Sequence, residues 1–136
     1  MIALSWDIWH EMVAHSMVEL PNEACGLLVG HLDGRVVAFH PCKNAAESSK
    51  LYTLDPRDHL RIDRAADDAG LAVIGVVHSH THTDAYPSPT DVNQAPDPDW
   101  HYVIVSLRHP DPAVRSYRII DGVASEEAIT VTSDPS

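Results

Sequence analysis

The sequence predicts an α/β or α+β fold with strands and helices interleaved, and its 136 residues suit a single domain, residues 1–136. Three observations carry that expectation. Leu71-Ala72-Val73-Ile74-Gly75-Val76-Val77 is apolar throughout, the pattern of a central strand covered on both faces. Asp33-Gly34 and Asp121-Gly122 each stand between apolar runs, a strong short-range signal for a hairpin. Ser5 and Asp55-Pro56 are helix starts, with a capping oxygen and, in the second, a proline where no N–H is needed.

In chain order, Ser5 caps a first helix whose apolar stripe is Trp9, Val13, Met17 and Leu20, and Pro21-Asn22 ends it. Cys25–Gly30 reads as a buried strand, and residues 35–40 as its return across Asp33-Gly34. A polar loop covers residues 44–50, and residues 51–54 read as a short strand. Asp55 caps the second helix, with Leu60, Ala65 and Ala69 as its core face and Gly70 as its stop. The central strand, residues 71–77, comes next. Ser88-Pro89-Thr90-Asp91 opens a short helix, and residues 101–107 form another buried strand. Residues 114–120 alternate as a strand, which Asp121-Gly122 turns into a last strand over residues 123–131. Only the tail, residues 132–136, reads as loose.

Nine Lys and Arg against twenty Asp and Glu give a net charge of −11. Such a surface repels phosphate backbones, which argues against nucleic acid as a partner. The longest apolar run is far too short to span a bilayer, so no membrane role is expected. The first residues lack the basic start of a secretory signal, and there are only two cysteines, Cys25 and Cys42. A reducing cytoplasm with two free thiols is the expectation.

The chemistry concentrates in His78-Ser79-His80, then seven residues, then Ser88-Pro89-Thr90-Asp91. If the strand persists to its end, His78 and His80 point to the same face. Asp91, from another element, adds the third direction that a tetrahedral zinc site needs. Three protein ligands leave the fourth position open, the mark of a catalytic rather than a structural site. Ser88-x-x-Asp91 also reads as a capping box, a role compatible with ligation. Ser88 is either a helix cap alone or a donor to a developing oxyanion. From spacing alone Glu23 reads as an exposed turn residue before a buried strand, and His82 and Asp84 as solvated loop.

Taken together, Glu23…His78-Ser79-His80-x7-Ser88-x-x-Asp91 resembles the JAMM motif of the MPN+ zinc metalloproteases. Tyr52, the segment around Asp84-Ala85-Tyr86-Pro87 and residues 101–106 and 115–122 resemble the actinobacterial Mec subgroup, whose substrate is the cysteine adduct of the ubiquitin-like sulfur carrier CysO. The resemblance implies an MPN/JAMM domain with a curved mixed β-sheet flanked by helices, and one Zn2+ per chain held by His78, His80 and Asp91. It implies Glu23 as general acid/base and Ser88 as oxyanion donor. The implied reaction is hydrolysis of the amide after the C-terminal Gly-Gly of a ubiquitin-like sulfur-carrier protein, releasing cysteine. Trimming of carrier precursors and general isopeptide cleavage are the alternatives within enzymes. A non-catalytic module that only binds such a tail is disfavoured by the intact Glu23 and Ser88. Loop residues 82–84 and Pro89 depart from the pattern of the subgroup, which bears on the substrate rather than the chemistry.

Overall fold

The elements are β1 (Ile2–Ser5), α1 (Trp6–Val18), β2 (Cys25–Gly30), β3 (Val36–Cys42), α2 (Pro56–Asp68), β4 (Ala72–His80), α3 (Pro89–Asn93), β5 (His101–Ser106), β6 (Ala113–Ile120), β7 (Val123–Glu127) and β8 (Ile129–Thr132). The structure, a computed structural model, describes residues 1–133; most of the tail read as loose therefore lies outside the described residues. Six strands form one sheet in the order β3-β2-β4-β5-β6-β7. Only β4 and β5 run parallel; every other neighbouring pair in this sheet is antiparallel. The architecture is therefore α+β, with a mostly antiparallel sheet.

Each face of the sheet buries its own apolar cluster. On one, α1 and β1 bring Ile2, Leu4, Ile8, Met12 and Val13 against Leu28, Ile74, Val77, Val103 and Val105. On the other, Ile62 and Ala66 of α2 cover Leu27, Val76, Tyr102 and Ile104. Covered on both sides, β4 is buried from Val73 to His80, as its unbroken apolar run requires. Gly75 is dictated by the β4–β5 contact: a Cβ there would lie 2.5 Å from the His101 carbonyl oxygen. The Asp121-Gly122 turn has positive φ at both residues, as a two-residue hairpin demands.

Several expectations need correction. Ile2–Ser5, to which the sequence pattern assigns no strand, form β1, parallel to β8, and the expected last strand divides into β7 and β8. Thr132 thus belongs to a strand rather than to a loose tail. The buried stripe of α1 is Ile8, Met12, Val13 and Ser16, while Met17 and Leu20 are exposed. Because β1 runs into α1 without a loop, the rotation of the helix is set by the strand. Ser16 is tolerated in the stripe because its hydroxyl donates to the Met12 carbonyl. On α2, Leu60, Ala65 and Ala69 face outward, and Ile62 and Ala66, one turn apart, take the core. Leu60 lies about 200° around the helix from Ile62. Residues 51–54 form no strand, only an isolated bridge from Leu54 to Asn44. Among the described residues, no helix is long and apolar enough to cross a membrane.

Glu127 ties β7 to the centre of the sheet. His101 Nδ1 and Ser116 Oγ donate to its Oε2 at 2.6 and 2.8 Å, and the Met1 ammonium to its Oε1 at 2.7 Å. Burial pushes this carboxyl up, but the bonds from His101, the Met1 ammonium and Ser116 outweigh it and hold the group at about 2. A folded-state pKa below the ordinary 4.5 means stability that is full above about 4.5 and lost as pH falls towards about 2. Glu127→Gln is expected to lower the melting temperature at pH 7 by roughly 5 °C, about 1–2 kcal/mol. The gap to wild type should close as pH is lowered from 5 towards 2; a gap that holds constant contradicts the assignment.

Candidate metal centre

The strand geometry of β4 persists through His80, so His78 and His80 emerge on one face, the α2 side, and Ser79 on the other. Asp91 arrives from α3. Its helix starts with Ser88 as cap, whose Oγ accepts from the Asp91 N–H at 3.0 Å while Asp91 Oδ2 accepts from the Ser88 N–H at 2.9 Å. This reciprocal box fixes the Asp91 carboxylate before any ion is considered.

The three side chains converge on one point. His78 Nε2, His80 Nε2 and Asp91 Oδ2 are mutually 3.1 Å apart. These three contacts cannot all be hydrogen bonds. Each imidazole nitrogen carries at most one proton; if both donate to Asp91, the two N–H groups face each other across 3.1 Å. A cation at the centre satisfies all three donors at once. Ligands about 2.0–2.1 Å from a tetrahedral zinc would be about 3.3 Å apart, close to the observed triangle. His80 Nδ1 also donates to the Asp84 carbonyl at 2.8 Å, which leaves the Nε2 lone pair for a metal. The donor set His78, His80 and Asp91 therefore fits a divalent ion.

The cluster members set one another's protonation, and against the pull of burial Asp91 and the Asp84 carbonyl push the His80 imidazole up. Burial works against ionised Asp91, but His78, His80 and the Ser88 N–H together hold it far below the usual carboxylate range. Burial pushes the His78 imidazole down, keeping it neutral as a ligand must be. Its Nδ1 has no hydrogen-bond partner among the described residues; the ring is held instead by stacking on Tyr52, centroids 4.5 Å apart.

Glu23 is no exposed turn residue. It is 4% exposed, and its Oε1 has no hydrogen-bond partner among the described residues. It lines a cavity of about 490 Å³ with His80 and Ser88. Burial pushes its carboxyl up to about 7, with His80 pulling it down and Asp91 pushing it further up. Its backbone is fixed on both sides: the Glu23 N–H donates to the Ser48 carbonyl at 2.8 Å, and the Ala24 N–H to Ser79 Oγ at 2.8 Å. Ser79, the middle residue of the histidine run, thus couples the Glu23 segment to the ligand strand. His82 and Asp84 are exposed, and only the Asp84 backbone serves the cluster.

Sequence reasoning passed over Asn44. Buried, it donates through Nδ2 to the carbonyls of Glu23 at 2.9 Å and Leu51 at 3.1 Å, and its Oδ1 accepts from the N–H groups of Ala46 and Thr53. One side chain so organises the loop that wraps Glu23. No periodicity or spacing marks an asparagine in a polar loop as such a staple.

Residues 6–120 match the family model described as prokaryotic homologs of the JAB domain. The chain belongs to that family. Within the wider set of JAB-domain relatives, it is 45% identical to the CysO-cysteine peptidase of Mycobacterium tuberculosis over 127 residues, 92% of this chain and 87% of that one. It is 43% identical to a desampylase of Haloferax volcanii over 88 residues, 63% of each chain. The solution structure of a Desulfitobacterium hafniense protein superposes with a TM-score of 0.91 at 37% identity, covering 98% of this chain and 94% of that one. Like its named relatives, this JAB-family chain is an enzyme of the peptidase and isopeptidase kind.

Purified protein is expected to carry one divalent ion per chain by elemental mass spectrometry. His78→Ala, His80→Ala and Asp91→Ala should each cut occupancy below about one tenth, and chelation of the wild type should lower its melting temperature by several degrees, because the ion binds only the folded chain. Full occupancy in any of the three variants contradicts the ligand set.

Proposed function

We propose that this protein is a zinc-dependent hydrolase that cleaves the amide after the C-terminal Gly-Gly of a ubiquitin-like sulfur-carrier protein, releasing cysteine from an adduct of the CysO-cysteine type. The observation that carries the reading is the meeting of two features: the His78, His80 and Asp91 cluster, and a buried Glu23 carboxyl, its Oε1 without a hydrogen-bond partner among the described residues, lining the same cavity as His80 and Ser88. The CysO-cysteine peptidase relative supports the substrate class. We take residues 1–136 as one domain serving this reaction, and the donor set of two imidazoles and one carboxylate as favouring zinc. Cys25 and Cys42 face each other across β2 and β3 as free thiols, which fits a reducing cytoplasm; the release of cysteine in this reaction would place the protein in cysteine biosynthesis.

His78, His80 and Asp91 would hold the ion, which when bound would supply Lewis acidity at the scissile carbonyl. Glu23, its carboxyl pushed up to about 7 by burial, takes a proton from the attacking water as the water oxygen adds to the glycine carbonyl carbon. The Ser88 Oγ accepts from the Asp91 N–H, so its own proton is free to meet the oxyanion. Glu23 then returns the proton to the departing nitrogen as the C–N bond breaks. Water is consumed, and a carrier carboxylate and a free amine result. A second cavity, about 260 Å³, runs past Asp91 between Tyr52, Leu54, Thr90, Gln94 and Pro96. It offers an apolar groove for the flexible tail on the acyl side of the cluster.

The test is intact-mass spectrometry of a CysO-like carrier bearing a C-terminal cysteine, incubated with the zinc-loaded protein. Loss of the cysteine mass is expected. Glu23→Gln should lower kcat/KM by at least about 100-fold with metal content unchanged. Ser88→Ala should lower it by roughly 100-fold. An unchanged substrate with zinc bound overturns the assignment of substrate. Cleavage of a lysine-linked conjugate instead would favour isopeptidase action, which the desampylase relative makes the second reading.

A further inference from the structure

We propose that Lys50 is a specificity-determining residue whose ammonium binds the free α-carboxylate of the leaving amino acid. The inference rests on the reaction proposed above and names which amides the site selects. Because Glu23 must return its proton to the departing nitrogen, the leaving group lies on the Glu23 side of the cluster. That side is the cavity of about 490 Å³ that Glu23 shares with His80, Ser88, Thr81 and Lys50.

An amino acid joined through its α-nitrogen brings a carboxylate within two bonds of the scissile nitrogen. It enters a chain of net charge −11, beside the Glu23 carboxyl. A bare carboxylate there would be repelled unless a cation met it. Lys50 is the Lys or Arg residue lining this cavity. Five of the other Lys and Arg residues are ion-paired, Arg35 with Asp33, Lys43 with Glu47, Arg61 with Asp58, Arg108 with Asp84 and Arg115 with Glu126, and Arg57, Arg64 and Arg118, which make no ion pair among the described residues, do not line this cavity. Among the described residues, no ion pair engages the Lys50 ammonium.

The backbone that carries Lys50 is anchored on both sides. Its own N–H donates to Ser48 Oγ at 3.0 Å. The preceding carbonyl, of Ser49, accepts from Thr81 Oγ1 at 3.2 Å, and the following one, of Leu51, accepts from Asn44. Thr81 immediately follows the ligand His80, so Lys50 is tied to the metal-binding strand through one side chain. The loop is thus held at the cavity wall, while the exposed lysine stem stays free to swing over the entrance. A lysine-linked conjugate carries no carboxylate near its scissile nitrogen and gains nothing from this cation.

The test compares two substrates with the zinc-loaded enzyme: a ubiquitin-like carrier ending in Gly-Gly-cysteine, and the same carrier ending in Gly-Gly-cysteine carboxamide. Wild type is expected to favour the acid by about tenfold in kcat/KM, as for a charge-assisted contact. Lys50→Met should bring the ratio close to one while leaving cleavage of the carboxamide unchanged, and Lys50→Arg should keep most of the preference. An unchanged ratio in Lys50→Met, or equal loss on both substrates, overturns the assignment of Lys50. Cleavage of neither substrate by wild type overturns the underlying reaction, and this inference with it.

Discussion

Two imidazole nitrogens and one carboxylate oxygen held 3.1 Å from one another, nearly out of reach of water, are the constraint on which this site depends. Protons alone cannot satisfy that triangle. Left without a cation, one edge pairs two nitrogens that have no good bond to offer each other, and buried polar contacts of that kind are costly. A divalent ion turns the same geometry from a conflict into a fit. Neighbours hold each member of the triangle: the Ser88 box fixes Asp91, the Asp84 carbonyl fixes His80, and Tyr52 packs on His78.

The fold supplies those fixtures through one unusual feature of its sheet. The β4–β5 pair runs parallel, and parallel neighbours need a long crossover. That crossover carries α3, so the chain must pass over the end of β4 and bring Asp91 back above His78 and His80. The close approach at Gly75 sets the pair, and Ser106 Oγ donates to the Thr83 carbonyl at 2.6 Å to pin the crossover where it leaves the strand. Across the other edge of β4, antiparallel β2 delivers Glu23 beside the same end, with Ser79 and Asn44 holding its backbone. Asp91 and the candidate base thus reach His78 and His80 from opposite edges of the strand that carries them.

Much of this was legible in the sequence because it is local. The apolar run ending in His78-Ser79-His80 announces a buried strand with two ligands on one face, and Ser88-Pro89-Thr90-Asp91 announces a capped helix start. What escaped depends on distant partners. Spacing alone leaves Glu23 as a turn residue and only the JAMM resemblance singles it out; its burial comes with a loop in which Asn44 and Ser48 hold its backbone. The stripe of α1 was misplaced because the rotation of that helix is set by β1, whose partner β8 lies at the far end of the chain. Leu60, Ala65 and Ala69 read as a core face of α2, whereas the position of the helix on the sheet admits Ile62 and Ala66. Periodicity names candidate faces; only tertiary contact decides between them.

The central claim is that one ion is held by three residues and keeps a side open towards Glu23. The most direct measurement is X-ray diffraction from crystals of the zinc-loaded protein, with anomalous data collected at the zinc edge. The account predicts a single peak about 2.0–2.1 Å from His78 Nε2, His80 Nε2 and Asp91 Oδ2, its remaining position facing the cavity lined by Glu23 and Ser88. A fourth protein ligand closing that position, or a peak elsewhere in the chain, would contradict it.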